Sequence, residues 1–375
     1  MKVPLLDLKA QYQSIKRAVD DNIAEVMESQ YFIMGPKVSS CEDALNDYTG
    51  SAYSVGVSSG TDALLLSLMA EGIGPGDEVI TSPYTFFSTG GSVARLGAKP
   101  VFVDIDKDSF NICPRNIEEK ITERTKAIIP VHLYGQLADI EPILHLAKKY
   151  GLLVIEDAAQ ALGARNGDRH AGTFGDYGCF SFFPSKNLGG AGDGGLITTQ
   201  SEEKYQKLKK LRVHGSSPKY YHSMIGGNFR LDAIQAAVIG AKLPHLENWI
   251  DKRRANAKTY KSLFEAKNLV NNGSVRLPME IHGRHSYNQF VIITGESHRD
   301  ALREYLKSAD VGTEIYYPVP LHLQECFRDL GYEENSMPVS EINAKSSLAI
   351  PIYPELTLEQ QEYVVDTIDE YFQSK

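Results

Sequence analysis

Short apolar runs alternate with amphipathic stretches between residues 52 and 200 of the chain. Seven of these runs predict strands, at residues 53–57, 78–82, 100–103, 127–131, 152–155, 179–183 and 196–199. The clearest helix is predicted at residues 139–150, where apolar residues recur at spacings of three and four; Asp139 can cap its start and Gly151 follows its end. Apolar strands separated by helices predict an α/β fold with a largely parallel sheet covered on both faces.

The pattern changes after about residue 250. Beyond it, a long polar helix and two strands are predicted, at residues 250–267, 287–294 and 312–317. Ser297 is placed to open a helix between the two strands. A final helix begins with Thr357-Leu358-Glu359-Gln360, which has the form of a capping box. This part of the chain is predicted to be α+β.

The 375 residues are enough for about two domains. With the change of pattern, they predict a large domain at residues 1–250 and a smaller one at 251–375, with residues 1–35 packing beside the smaller domain. The 48 acidic and 39 basic residues give a net charge of −9, which argues against nucleic acid or an anionic membrane as a partner. Four scattered cysteines favour a reducing, cytoplasmic compartment, and no apolar run approaches the roughly 18 residues of a membrane span.

Ligands of parallel α/β sheets bind beyond the carboxyl ends of the strands, so the residues that follow each strand are the candidates for chemistry. Gly60 and Thr61 begin a helix directly after a strand, where free N–H groups suit a phosphate. A plain turn capped by Thr61 explains the same residues equally well. Asp157 and Gln160 follow another strand, and a helical turn there would point both side chains into the cleft. The alternative is a helix cap with a solvated glutamine.

Lys186 follows the strand at 179–183 and precedes a glycine-rich stretch. A lysine that is partly desolvated in such a pocket loses proton affinity and becomes a nucleophile. A phosphate seat, an acid, the aromatic Phe86 and a lysine on strand ends of one sheet match the needs of pyridoxal phosphate (PLP). The lysine would form a Schiff base, the acid would keep the pyridine nitrogen protonated, and Phe86 would stack on the ring.

The chain resembles the DegT/StrS-type nucleotide-sugar aminotransferases, which have fold type I of the PLP-dependent enzymes. The resemblance runs nearly end to end. Its motifs include Val3-Pro4-Leu5-Leu6-Asp7-Leu8, Ser59-Gly60-Thr61-Asp62-Ala63-Leu64, Thr85-Phe86, Glu156-Asp157-Ala158-Ala159-Gln160, Asn228-Phe229-Arg230-Leu231 and Tyr317-Pro318-Val319-Pro320-Leu321-His322. It implies a mixed, mostly parallel seven-stranded sheet between helices, and a homodimer with shared active sites.

Taken residue by residue, the resemblance implies that Lys186 is the catalytic Schiff-base lysine and that Asp157 is the partner of the pyridine nitrogen. The other cofactor-binding residues that it implies are Gly60, Thr61, Phe86, Gln160, Ser181 and, reaching into the neighbouring subunit, Asn228. The implied sugar-nucleotide site includes segments containing Arg230, Tyr316 and Tyr317. For Arg230, a structural ion pair is an equally good explanation.

Two further features bear on the substrate. Relatives that dehydrate sugars carry histidine in place of Lys186, so the lysine favours amino transfer. Gly192-Asp193-Gly194-Gly195 and Tyr134-Gly135-Gln136 resemble the members that act on 3-keto sugars. The resemblance thus implies transfer from L-glutamate to C3 of a UDP- or dTDP-linked 3-keto hexose, for amino sugars of cell-surface polysaccharide or lipopolysaccharide. A 4-keto acceptor is the alternative.

Three functions from other classes compete with this interpretation. Gly56-Val57-Ser58-Ser59-Gly60 spells the nucleophile elbow of a serine hydrolase, although no His-Gly-Gly-Gly oxyanion segment precedes it. A nicotinamide-dependent oxidoreductase would need the Gly-x-Gly-x-x-Gly that this chain lacks. A non-catalytic PLP-binding regulator on the same fold would retain Lys186. No metal is expected, because His282 and His285 in a loop are weak candidates for ligands.

Overall fold

The computed structural model describes residues 1–375 and contains a seven-stranded sheet, a two-stranded sheet and a short hairpin. The strands are β1 (Tyr53–Val57), β2 (Glu78–Thr81), β3 (Lys99–Phe102), β4 (Thr125–Ile129), β5 (Leu153–Asp157), β6 (Arg165–Asn166), β7 (Arg169–His170), β8 (Tyr177–Ser181), β9 (Gly195–Thr199), β10 (Phe290–Ile293) and β11 (Ser347–Ile350). The helices are α1 (Leu8–Ser29), α2 (Pro36–Thr49), α3 (Gly60–Ala70), α4 (Ser88–Arg95), α5 (Ile140–Tyr150), α6 (Glu202–Leu211), α7 (Ala233–Lys242), α8 (Leu246–Ala266), α9 (Arg299–Ser308), α10 (Pro338–Ser346) and α11 (Leu358–Gln373).

The large sheet is mixed and mostly parallel, with the strand order β1-β9-β8-β5-β4-β2-β3. Only β9 runs against its neighbours, β1 and β8. This confirms the predicted fold class, and all seven predicted strands are present with ends within two residues of their expected positions. Helix α5 also lies where it was predicted and ends at Gly151 with a φ of 66°. The expected cap at its start is wrong, because the Asp139 side chain accepts no capping hydrogen bond.

Both faces of the large sheet are buried, which explains why its strands are apolar throughout. Alternate residues of a strand point to opposite faces. Ile128 and Val154 therefore join a core with α2, α5 and α7, whereas Ile129 and Ile155 join a second core with α3, α4 and α6. Each fully buried aliphatic side chain contributes about 1.5–3 kcal/mol of transfer free energy. The two apolar layers hold the strand ends, and the loops that follow them, in fixed positions.

The C-terminal part is built on the antiparallel pair β10 and β11, covered by α8, α9 and α11. The capping box of α11 is confirmed, since the side chains of Thr357 and Gln360 each accept the other's backbone N–H. The strand predicted at 312–317 is wrong. Only Glu314 pairs there, with Ala349, because the next residues turn their side chains toward a cavity.

Two other features of this part differ from expectation. The strand that pairs with β10 is β11, which was not predicted. Ser297 does not cap a helix, because α9 begins at Arg299 directly after His298. No helix of the chain combines the length and the apolar character needed to cross a bilayer.

The first residues and α8 connect the two parts of the molecule. The Val3 N–H donates to Asp310 O at 2.9 Å, and the Val3 side chain is buried in the core of the C-terminal part. Helix α1 instead packs on α7, through Ile15 and Val19. Residue 250 lies within α8, which contributes side chains to both cores. The division into two domains at this residue stays a prediction.

Candidate active site

The carboxyl ends of five strands border one cavity of about 430 Å³. Strands β1, β2, β4, β5 and β8 run in the same direction, so the residues that follow them meet at one edge of the sheet. The cavity is lined by nine of the residues predicted from the sequence: Gly60, Thr61, Phe86, Asp157, Gln160, Ser181, Lys186, Tyr316 and Tyr317. A phosphate seat, an acid, an aromatic ring and a lysine therefore face the same space.

Lys186 lies in the loop after β8 and reaches into this cavity. The backbone of the loop is tightly turned, with the Lys186 N–H donating to Phe183 O at 2.9 Å. Burial disfavours the ammonium form and lowers the pKa of Lys186 to about 8, although the nearby Asp157 carboxylate acts in the opposite direction. An amine with this pKa is partly deprotonated near neutral pH and can act both as a nucleophile and as a base.

The lowered pKa predicts that Lys186 reacts with electrophiles at a lower pH than ordinary lysines. Only the neutral amine is nucleophilic, so its rate of modification in the apoprotein should rise as the pH approaches about 8 and level off above that value. Ordinary lysines have a pKa of 10.5. Limited acetylation at several pH values, followed by peptide mass spectrometry, measures the rate against exposed Lys258. A rate at Lys186 that parallels this reference across the whole range would contradict the prediction.

Asp157 is the last residue of β5 and is almost completely buried. Its Oδ2 accepts a hydrogen bond from Thr89 Oγ1 at 2.7 Å, and its Oδ1 accepts one from the Ala159 N–H at 3.3 Å. Burial raises the pKa of the Asp157 carboxyl, whereas these donors and the Lys186 amine favour its charged form. The carboxylate is thus held in place from one side, while its other side faces the cavity and can accept a hydrogen bond from a ligand.

Gln160 also lines the cavity, but the helical turn that was expected to place it there is absent. Residues 158–160 form a turn and not the start of a helix. The Gln160 Oε1 accepts the backbone N–H of Tyr134 at 2.7 Å, and its Nε2 donates to the Tyr317 hydroxyl at 2.8 Å. Tyr134 has a φ of 60°, which is uncommon for a residue with a side chain. Both ends of the amide are occupied, so Gln160 fixes the orientation of Tyr317 across the cavity.

The start of α3 forms a cradle at the opposite side. Ser59, and not Thr61, is the helix cap, because its side chain accepts the Asp62 N–H at 3.0 Å. Gly60 and Thr61 are left with N–H groups that have no partner within the helix. Space is very tight here, since a Cβ on Gly60 would lie 2.8 Å from Ser181 Cβ. The combination of free N–H groups, a helix N-terminus and the Ser181 hydroxyl suits a phosphate group.

The serine of the hydrolase motif has no general base. Ser58 Oγ donates to Asp62 Oδ2 at 2.6 Å, and no histidine hydrogen-bonds to it. A nucleophilic serine needs an adjacent base within hydrogen-bond reach. The geometry therefore gives no support to the serine hydrolase.

Two predicted residues do not line the cavity. Asn228 is exposed, and its backbone pairs with Val213. Arg230 pairs through its backbone with Val57 beside the end of β1. Its side chain forms no salt bridge, and its Nε is buried without a hydrogen-bond partner, so the structural ion pair considered for this residue is absent.

Two residues of the site were missed by the sequence analysis. Thr89 holds the Asp157 carboxylate, and Gln289 lines the cavity from the C-terminal part. Thr89 lies four residues after Thr85, on the helix that follows β2, and a search for a donor to the buried acid would have found it. Gln289 lies inside a predicted strand, and no pattern in the sequence separates it from the strand residues around it.

Comparison with known proteins agrees with this geometry. Residues 13–369 match the model of the DegT/DnrJ/EryC1/StrS aminotransferase family. The chain belongs to this family.

Similar proteins align over almost the whole length of the aminotransferase. A pleiotropic regulatory protein from Geobacillus stearothermophilus is 48% identical, over 99% of both chains. A UDP-N-acetyl-3-dehydro-alpha-D-glucosamine 3-aminotransferase from Acidithiobacillus ferrooxidans is 44% identical, over 96% of this chain and 95% of the relative. The crystal structure of DesV from S. venezuelae superposes with a TM-score of 0.94 at 39% identity, covering 99% of this chain and 98% of the other.

The family is PLP-dependent. NtdA from Bacillus subtilis, solved with its bound cofactor PMP (pyridoxamine phosphate), superposes on the aminotransferase with a TM-score of 0.92 at 32% identity, covering 99% of this chain and 85% of the other. The cavity fits this cofactor in three respects: it contains an amine with a lowered pKa, a buried carboxylate with one side free, and a helix N-terminus whose glycine leaves no room for a side chain.

Proposed function

We propose that this aminotransferase moves an amino group from L-glutamate to the C3 keto group of a UDP- or dTDP-linked hexose. The observation that carries the proposal is the placement of Lys186, Asp157 and the start of α3 around one cavity. Support for C3 comes from the A. ferrooxidans relative, whose name specifies a 3-dehydro sugar and a 3-aminotransferase. The products would supply amino sugars for cell-surface polysaccharide or lipopolysaccharide.

Within this proposal, different residues of the cavity bind different parts of the cofactor. Lys186 Nζ would attach to its aldehyde carbon, and the Asp157 carboxylate would accept a hydrogen bond from its ring nitrogen. Gly60, Thr61 and Ser181 would donate to its phosphate. Phe86, whose side chain is 60% exposed at the cavity rim, would cover one face of the ring. Gln160 would lie near the ring hydroxyl and keep Tyr317 in position.

The reaction needs a group that takes a proton from the α-carbon of glutamate and later delivers one to the sugar carbon. When bound, PLP supplies a conjugated ring that withdraws electrons from the carbon that loses its proton. Lys186 Nζ is the only amine that lines the cavity, and with a pKa of about 8 it can accept and release a proton near neutral pH. The nearby Asp157 carboxylate favours the protonated amine when a proton has been taken up.

Competition between acceptors tests the position of transfer. Purified enzyme with PLP and glutamate is given matched 3-keto and 4-keto nucleotide sugars, and the amino sugar and 2-oxoglutarate are quantified. We expect product from the 3-keto sugar. Turnover of the 4-keto sugar alone would overturn the assignment to C3 and leave the alternative, amino transfer to C4, in its place.

The regulatory name of the G. stearothermophilus relative makes a non-catalytic PLP-binding protein the second candidate. Both functions predict a visible absorption band that borohydride bleaches, because both retain Lys186. They differ in the response to glutamate. We expect glutamate alone to convert the bound cofactor to its pyridoxamine form and to release 2-oxoglutarate; a band that persists in excess glutamate would favour the regulator.

We also propose that the protein is a homodimer in which Asn228 of one subunit contacts the cofactor phosphate of the other. The supporting observation is the segment before Asn228, where Tyr220, Tyr221 and Ile225 are 78%, 71% and 91% exposed. Apolar side chains that protrude in this way are typical of contacts between proteins. Asn228 itself is outside the cavity of its own chain, which a shared site explains.

Mixing two impaired variants tests this arrangement. Lys186→Ala and Asn228→Ala should each be impaired, but subunit exchange creates hybrid dimers in which one of the two sites keeps both residues. The mixture should therefore show more amino transfer than either variant shows alone. If Asn228 acted within its own chain, each hybrid site would carry one substitution, and no activity would return.

A cytoplasmic location completes the proposal. All four cysteines are free thiols, three of them buried. Free thiols persist in reducing compartments, and the cytoplasm is the compartment of this kind that we propose.

A further inference from the structure

A second, smaller recess of about 70 Å³ adjoins the cavity on the side of the first residues of the chain. It shares Ser185, Gln289 and Tyr316 with the cavity, so the two spaces are neighbours. Its remaining lining is mainly aliphatic: Leu5, Leu6, Asn288, Ala349, Ile350 and Ile352. Ser185 directly precedes Lys186, which places the recess beside the reacting centre.

Two side chains of this recess hold buried polar atoms without partners. Asn288 and Gln289 are 6% and 7% exposed, yet Asn288 Nδ2 and Gln289 Oε1 form no hydrogen bond. The orientation of the Asn288 amide is fixed, because its Oδ1 accepts the Asn187 N–H at 3.2 Å. Most buried polar atoms in proteins are paired, and an unpaired one requires an explanation. Here a free donor and a free acceptor come from adjacent residues that line the same recess.

A secondary amide is the chemical complement of this arrangement. Its carbonyl oxygen can accept from Asn288 Nδ2, and its N–H can donate to Gln289 Oε1. A methyl group on the amide would lie against aliphatic side chains such as Leu6 and Ile350. A hydroxyl in the same place would leave the aliphatic wall uncovered.

The position and the chemistry of the recess together identify which substituent of the sugar would enter it. If C3 of a hexose lies at Lys186, the substituents on C2 and C4 both lie next to that residue, and in a 2-acetamido sugar the amide that the recess complements is the one on C2. Resting on the proposed function, we propose that Asn288 and Gln289 bind the acetamido group of a 2-acetamido nucleotide sugar. The acceptor is then a UDP-linked 2-acetamido-3-keto sugar, and 6-deoxy sugars with a 2-hydroxyl are poor substrates.

Binding of two stable UDP sugars to the PLP-loaded enzyme tests the subsite apart from catalysis. UDP-N-acetylglucosamine and UDP-glucose differ only at C2, and calorimetry gives their dissociation constants. We expect the acetamido sugar to bind roughly 10-fold to 100-fold more tightly, as two new hydrogen bonds and a covered methyl group would provide. Asn288→Asp retains the acceptor for the Asn187 N–H but loses the free donor, and Gln289→Met loses the free acceptor. Both should reduce the ratio of the two constants.

The ratio is the deciding quantity, because general repulsion or loosening affects both sugars alike. Asn271→Asp, in an exposed turn after α8, is the matched control and should keep the wild-type ratio. Equal affinities in the wild type, or a preference that both variants retain, would overturn the subsite. Glutamate-dependent formation of 2-oxoglutarate distinguishes failure of the subsite from failure of the proposed function. If 2-oxoglutarate forms while the two affinities are equal, only the subsite is wrong. If no 2-oxoglutarate forms, the proposed function is wrong as well.

Discussion

Lys186→Ala should lower the rate of amino transfer by at least about 10³-fold. The substitution removes the only amine that lines the cavity, and with it both the point of cofactor attachment and the group that moves the proton. The rate is measured as 2-oxoglutarate formed from glutamate. Attachment is measured as the mass added to the protein when PLP and borohydride are supplied, and we expect this mass on the wild type but not on the variant.

The same variant should remain folded. Because burial lowers the pKa of Lys186, the folded apoprotein binds a proton there less readily than the unfolded chain does, and this costs stability below the ordinary pKa of 10.5. Alanine removes that cost, so the melting temperature of the apoprotein at pH 7 should equal or exceed that of the wild type. Lys258→Ala, at an exposed position of α8, is the control for activity. Substantial turnover by Lys186→Ala would rule out the assigned role.

Asp157→Asn should reduce turnover by roughly 10²-fold to 10³-fold, the usual effect of removing one preorganised electrostatic partner. The amide is nearly isosteric and can still accept the hydrogen bond from Thr89, but it carries no charge to hold a proton on the ring nitrogen of the cofactor. The rate of 2-oxoglutarate formation measures the loss. Asp43→Asn, exposed on α2, provides the matched control.

The substitution at Asp157 should also change Lys186. The carboxylate favours the ammonium form of that lysine, so its removal should lower the pKa of Lys186 further, below about 8. The pH at which Lys186 becomes reactive toward acetylation should therefore move to lower values in the apoprotein. An unchanged pH profile together with unchanged turnover would mean that the two groups do not interact as the structure indicates.

Much of the site follows from the sequence because its residues sit immediately after strands. Short apolar runs such as the one before Asp157 are typical of strands of a buried sheet, and parallel strands bring their carboxyl ends to one edge. Lys186, Asp157 and Gly60 were therefore found by their position relative to such runs. The local pattern shows where each strand ends because a strand that is buried on both faces is apolar along its whole length. The first polar residues after the run therefore mark the end of the strand.

Other parts of the site depend on contacts that no local pattern records. Tyr316 and Tyr317 were assigned to a strand, but their segment pairs at a single residue and then turns into the cavity. Thr89 matters only because the structure places it 2.7 Å from a carboxylate 68 residues away. Gln289 stands out because its Oε1 has no partner, which can be recognised only when every neighbour is known.

Helix α8 is a single rod of 21 residues, about 32 Å long. Leu246 and Ile250 anchor its first turns in the core of the large sheet, and Tyr260 and Phe264 anchor its last turns in the other core. A hinge between these cores would have to bend a continuous helix, which would break backbone hydrogen bonds in its middle. Entry and exit of a bulky ligand should therefore depend on small movements of rim side chains such as Phe86. The two halves of the molecule should move together as one rigid body.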